Sequence, residues 1–156
     1  MKIISHRANS NGPNSIGENT PDQIETMISK GFDVEIDIRY YNDNQKLYLG
    51  HDEPHSPVDL SWLEKYQDSL WIHCKNIAAL YWFSCNNDNK FNYFWHQNDD
   101  YTLTSKNYIW TYPEKEQTPS SVVVVFGKPN NGKFASDWGK EPFDCYGICT
   151  DYPNLY

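Results

Sequence analysis

The chain has 156 residues, 38% apolar and 16% aromatic, which is enough bulk for one packed core and too little for two. Its 21 acidic residues against 13 basic ones give a formal charge of −8, a balance that repels nucleic-acid backbones and anionic membranes unless positive charge is gathered locally. No apolar run approaches the roughly 18 residues of a membrane span. The cysteines, Cys74, Cys85, Cys145 and Cys149, have neither the paired spacing of a zinc site nor the density of a disulfide scaffold.

Residues 2–5 form a short apolar strand that runs into His6 and Arg7, and residues 9–14 are turn chemistry. A histidine and an arginine thus stand where a strand becomes a loop, the usual place for active sites in parallel α/β proteins. Residues 20–30 (TPDQIETMISK) carry a capping threonine, a proline at the first helical position and Ile24, Met27 and Ile28 at i, i+3 and i+4. They predict a helix stopped by Gly31. Residues 32–40 (FDVEIDIRY) alternate as a strand, and residues 47–51 (LYLGH) return after a turn, so the two form a hairpin. An amphipathic helix over residues 61–67 precedes a strand over 70–75 (LWIHCK) and a buried helix over 77–85.

Beyond these lie four short strands, residues 91–96, 108–112, 121–126 and 146–150, each rich in aromatic or β-branched residues. Their connections are short or rich in Pro, Gly and Asn, so helices there are stunted or absent. The order strand, loop, helix predicts a parallel α/β architecture in one domain over residues 1–156. Seven parallel strands and a hairpin point to a compact TIM-like (β/α) barrel of seven or eight strands. It must be pared down, since a full barrel seldom has fewer than about 200 residues.

Glu35 and Asp37 sit at i and i+2 of one strand and so share a face. With Val34, Ile36 and Ile38 turned to the helices, both carboxylates enter the barrel, where paired acids serve as ligands for a hard metal ion. His51 ends the hairpin, and His6 and His51 flank the acids as candidate general acid and base. Alternation in Trp71-Ile72-His73-Cys74-Lys75 sends His73 and Lys75 into the same interior. Lys75 with Arg7 makes a local positive pocket that suits a phosphate-like anion. His96, Asp99, Trp110 and Tyr112 stand at later strand ends. His96 reads first as a structural histidine, and the two rings can stack on a sugar or glycerol moiety.

The motifs HRA, ENTP, EIDIR, GHDEP, a strand ending in Lys75, and GICTDYP near the end resemble, in order, the glycerophosphodiester phosphodiesterases. These belong to a wider group of phosphatidylinositol-phospholipase-C-like barrel enzymes. The matching motifs cover residues 1 to about 80 and 145–153. The resemblance implies a TIM-like barrel with the site at the strand C-termini and hydrolysis of a small phosphodiester. His6 and His51 become the acid/base pair, Glu35 and Asp37 metal ligands, and Arg7 and Lys75 phosphate ligands, with Glu18 supporting the first loop. Trp110 is expected as a further substrate contact from its place near a strand end, not from the resemblance. Where the family has a glutamate two positions before the lysine, this chain has His73, which tilts the expected ion from Mg²⁺ or Ca²⁺ toward Mn²⁺, Fe²⁺ or Zn²⁺. The expectation is a metal-dependent phosphodiester hydrolase acting on a glycerophosphodiester-like or sugar-phosphodiester substrate, in lipid metabolism, and cytoplasmic because the first strand begins at Lys2 and leaves no room for a secretory segment. The alternatives are a non-catalytic module that binds a sugar phosphate and a lyase that releases a cyclic phosphate.

Overall fold

In the computed structural model, residues 1–86, 88–128 and 144–156 are described. The strands, in chain order, are β1 (Lys2–His6), β2 (Asp33–Tyr41), β3 (Lys46–Leu49), β4 (Ser56–Val58), β5 (Leu70–Cys74), β6 (Asn92–Phe94), β7 (Tyr101–Leu103), β8 (Ile109–Thr111), β9 (Ser121–Val125) and β10 (Gly147–Thr150). Three helices accompany them: α1 (Pro21–Ser29) follows β1, α2 (Leu60–Tyr66) follows β4 and α3 (Ile77–Asn86) follows β5. Every predicted element is present, with ends shifted by no more than one or two residues. The sequence patterns did not signal β4 or β7, each three residues long. At Thr20 the expected cap takes another form, because its hydroxyl donates to the Gly17 carbonyl instead of accepting from the helix.

Seven strands run parallel in the order β6-β5-β2-β1-β10-β9-β8. The far end of β2 continues into the antiparallel pair β3–β4, and β7 lies antiparallel on β8. The expectation of a closed barrel is corrected here: among the described residues no ladder joins β6 to β8, so the sheet is a curled, open barrel. The physical reason is the shortness of β6 and β8, three residues each. Such strands expose few backbone groups, and side chains bridge the seam: the Phe94 and Trp110 rings stack with centroids 4.5 Å apart.

Two cores divide the apolar residues. Outside the sheet, Val34, Ile36 and Ile38 of β2 and Leu70, Ile72 and Cys74 of β5 pack against Ile24 and Met27 of α1, Leu63 of α2, and Ala79 and Phe83 of α3. Inside the curl, Ile4, Trp71, Phe94, Trp110, Val122, Val124 and Cys149 fill the lower barrel. Among the described residues, the outer face of β9 and β10 (Val123, Val125, Ile148) forms a smaller cluster with Ile3, Cys145 and Tyr156. Among the described residues the three helices all lie before residue 87, and the C-terminal half has only a 3₁₀ turn at Pro153–Leu155. That agrees with the predicted reduction, although the connection over 129–143 falls outside the described residues.

β2 sends three acids inward, at i, i+2 and i+4. The lowest, Asp33, accepts from Trp71 Nε1 at 3.0 Å and pairs with Lys2 Nζ at 3.0 Å, which makes it structural. Glu35 and Asp37 lie above it, toward the C-terminal ends of the strands.

Candidate active site

Strand register brings the predicted residues together. His6 of β1 stands opposite Glu35 of β2, and Asp37 of β2 opposite His73 of β5. Ser5 stands opposite Thr150 of β10, which brings Asp151, one residue on, beside His6. Side chains of neighbouring parallel strands at one level share a layer. The pocket above this layer has a volume of about 310 Å³ and is lined by His6, Arg7, Glu35, His51, His73, Lys75, His96, Trp110 and Tyr112, among others.

At its floor, one ligand atom from each of Glu35, Asp37 and His73 lies within 4.8 Å of the other two. Both carboxylates are 1% exposed. Asn19, in the left-handed conformation at φ 54°, clamps Asp37: its amide donates to Oδ2 at 2.8 Å and its carbonyl accepts from Asp37 N at 2.9 Å. Asp37 Oδ1 is buried without a hydrogen bond. The charges facing it are His73 Nδ1 at 3.3 Å and Lys75 Nζ at 3.9 Å.

His73 holds its ring through Nε2–H, which donates to the His96 carbonyl at 2.8 Å, and stacks on Phe94 at 5.1 Å. Nδ1 is thereby aimed at Asp37 and Glu35. Burial opposes a charge on this ring, but the two carboxylates beside Nδ1 prevail and push its pKa up to about 9. Asp37 is held below the usual carboxylate range by His73 and Arg7, against the effect of burial. An orphaned buried carboxylate oxygen, a second carboxylate and an imidazole nitrogen are the donor set of a small divalent cation, so these residues fit one.

His6 Nδ1 donates to Asp151 Oδ1 at 2.8 Å, and Asn9 Nδ2 donates to the same oxygen at 2.8 Å. The opposite nitrogen, Nε2, lies 3.9 Å from Glu35 Oε2. Burial disfavours the imidazolium, yet the Asp151 hydrogen bond and the Glu35 and Asp151 charges raise the pKa above 6.5. His51 has a parallel arrangement, Nδ1 to Asp52 Oδ1 at 2.7 Å, on a more exposed loop. That loop is set by Arg39, which donates to the Gly50 and His51 carbonyls, and by Gly50 at φ 144°, where a Cβ would sit 2.0 Å from the Glu53 carbonyl oxygen. In both histidines a carboxylate orients Nδ1–H and leaves Nε2 to exchange protons.

Arg7 and Ala8 take the left-handed conformation, at φ 52° and 65°. This bend turns the Arg7 amide toward Glu35 Oε2 at 3.2 Å, while the guanidinium reaches Asp37 Oδ2 at 3.2 Å and Glu18 Oε1 at 3.5 Å. Strain of this kind persists where the surroundings hold it in place. Trp110 is 4% exposed and packed between Phe94 and Trp71, so it forms a wall of the pocket. His96 is buried, its Nε2 donating to the Asp99 carbonyl at 2.6 Å, and its main chain holds His73.

Sequence reasoning assigned no role to Asp151, Asn9, Asn19 or Arg39, although ENTP, EIDIR and GICTDYP contain three of them. The signal for Asp151 was its place just past the end of an apolar strand, the same signal that marked His6.

No protein-family model matches the chain, and no curated protein sequence does. Among solved structures it is similar to the crystal structure of a glycerophosphodiester phosphodiesterase from Agrobacterium tumefaciens strain C58. The TM-score is 0.58 with 17% identical residues over 99% of this chain and 98% of that one. At that identity the likeness is one of fold.

Proposed function

We propose that the protein is a metal-dependent phosphodiester hydrolase of the glycerophosphodiester phosphodiesterase type. The observation that carries this reading is the convergence of two carboxylate-oriented histidines, two phosphate-binding cations and a buried three-residue donor set in one pocket. The fold likeness supports it, as do the motifs that resemble the family.

Glu35, Asp37 and His73 hold the cation, with Mn²⁺, Fe²⁺ or Zn²⁺ favoured over Mg²⁺ or Ca²⁺ because one donor is nitrogen. When bound, the ion supplies Lewis acidity to a phosphoryl oxygen. Arg7 and Lys75 neutralise the remaining phosphate charge, and Glu18 steadies Arg7. One of His6 and His51 removes a proton from the attacking hydroxyl at its Nε2, and the other delivers one to the leaving alkoxide. Asp151 and Asp52 keep the two rings in the tautomer that allows this. A cytoplasmic role, without nucleic acid as partner, accords with the net charge of −8 and the four free thiols. Among the described residues no helix is long and apolar enough to cross a membrane.

One observation favours a second reading, a non-catalytic anion-binding module: His73 Nδ1 lies 3.5 Å from Glu35 and 3.3 Å from Asp37, where a proton on the ring can stand in for a cation. The deciding experiment is hydrolysis of a glyceryl phosphodiester with Mn²⁺ and with EDTA, followed by phosphorus NMR. Metal-dependent monoester formation is the expected result. A cyclic phosphate product means a lyase, and binding of glycerol phosphate without turnover means the module.

A further inference from the structure

The two flanks of the pocket differ in chemistry. β1, β2 and the end of β5 supply the charged groups, whereas the ends of β8 and β9 supply Tyr112 and Phe126. Trp110 has both neighbours it needs in the core, but Tyr112 and Phe126 are 41% and 49% exposed. They meet edge to face at 6.3 Å, and Tyr112 lies over the His96 ring at 6.0 Å.

Single exposed aromatic residues need no explanation. Two in mutual contact, on the same pocket as Arg7 and Lys75, form a platform beside a phosphate site. It is also preorganised: Tyr112 N donates to the Asp100 carbonyl at 2.9 Å, and the stack on His96 holds the ring. Glycerol alone, which asks for hydrogen-bond partners, gains little from such a wall, whereas a planar ring gains offset or edge contacts. A volume of about 310 Å³ is at the small end of ligand sites and accommodates one ring-sized group beside the phosphate.

We propose that the substrate is a phosphodiester one of whose alcohols carries a planar aryl or heteroaryl ring, which packs against Tyr112 and Phe126 while Arg7 and Lys75 hold the phosphate. This rests on the phosphodiesterase reading and narrows its substrate. The test is calorimetric titration of the full chain with Mn²⁺ present, using methyl benzyl phosphate, methyl thymidine 5′-phosphate and methyl glyceryl phosphate, with turnover of each measured in parallel.

The ring-bearing diesters are expected to bind about five- to tenfold tighter than the glyceryl one, and the benzyl and thymidine arms separate a plain ring from a nucleobase. Tyr112→Leu and Phe126→Leu keep apolar bulk but remove the ring plane, so each should shrink the preference toward unity. Equal affinity for all three diesters, or a preference untouched by both variants, overturns this inference and leaves the hydrolase reading intact. Neither binding nor turnover of any diester overturns the hydrolase reading and this inference with it.

Discussion

The two halves of the curled sheet carry different loads. On the N-terminal side, β2 and β5 are covered by three helices through a cluster that includes Ile24, Met27, Ile36, Ile72 and Phe83, and this is where two acids are buried at 1% exposure. On the other side, among the described residues, Val123, Val125 and Ile148 of β9 and β10 pack outside with Ile3, Cys145 and Tyr156, and their inner residues Val122, Val124 and Cys149 meet the rings of Phe94 and Trp110. Buried charge costs free energy unless its partners are held rigidly. The charges therefore sit on the best-supported strand, β2, which pairs with β1, β3 and β5.

The sharpest way to break this contrast is to remove a charge carrier without touching its support. His6→Ala is expected to lower turnover by about 10²–10⁴-fold, with an unchanged thermal transition, measured as kcat on a glyceryl diester and as Tm. Asp151→Asn should retain more activity than His6→Ala and shift downward whichever limb of the pH–rate profile His6 controls, because it removes the carboxylate that raises the His6 pKa.

The support itself is tested by comparing cavities. Ile36→Ala, on the helix-backed side, is expected to cost about 4–5 kcal/mol in urea unfolding, against about 2–3 kcal/mol for Ile148→Ala on the other face. Equal losses would erase the difference drawn between the two halves.

A smaller effect comes from the His73 proton. Its folded pKa, about 9, lies above the ordinary 6.5. The stability it contributes in metal-free protein is fully present below pH 6.5 and lost as pH rises through about 9. Over that window the loss should be on the order of 2–3 kcal/mol, and His73→Gln should flatten the slope. A wild-type curve already flat from pH 6.5 to 9.5 would contradict the contacts of His73 with Glu35 and Asp37. Smallest is Asn19→Ala, which is expected to cost about 1 kcal/mol, because Arg7 still faces the Asp37 oxygen that the amide releases.

Much of this was legible in the residues themselves. Alternation in FDVEIDIRY is local geometry, since side chains of a strand point to opposite faces, and it alone turned Glu35 and Asp37 away from Ile36 and Ile38. The same rule placed His73 opposite Cys74, and turn chemistry marked His6 and His51 as strand-end residues. Asp151 and Asn19 were hidden for the opposite reason: their partners, His6 and Asp37, are 145 and 18 residues away. No local pattern encodes such contacts.

By itself, then, the sequence determined which residues face inward and in what order the elements follow, because periodicity and turn preference act over a few residues. Only the tertiary structure decided that the sheet stays open between β6 and β8, that Trp110 is wall while Tyr112 and Phe126 are accessible, and that the His96 main chain aims His73 at the acids. Those outcomes depend on register and on packing between strands far apart in the chain, where long-range geometry chooses among arrangements that local preferences leave equivalent.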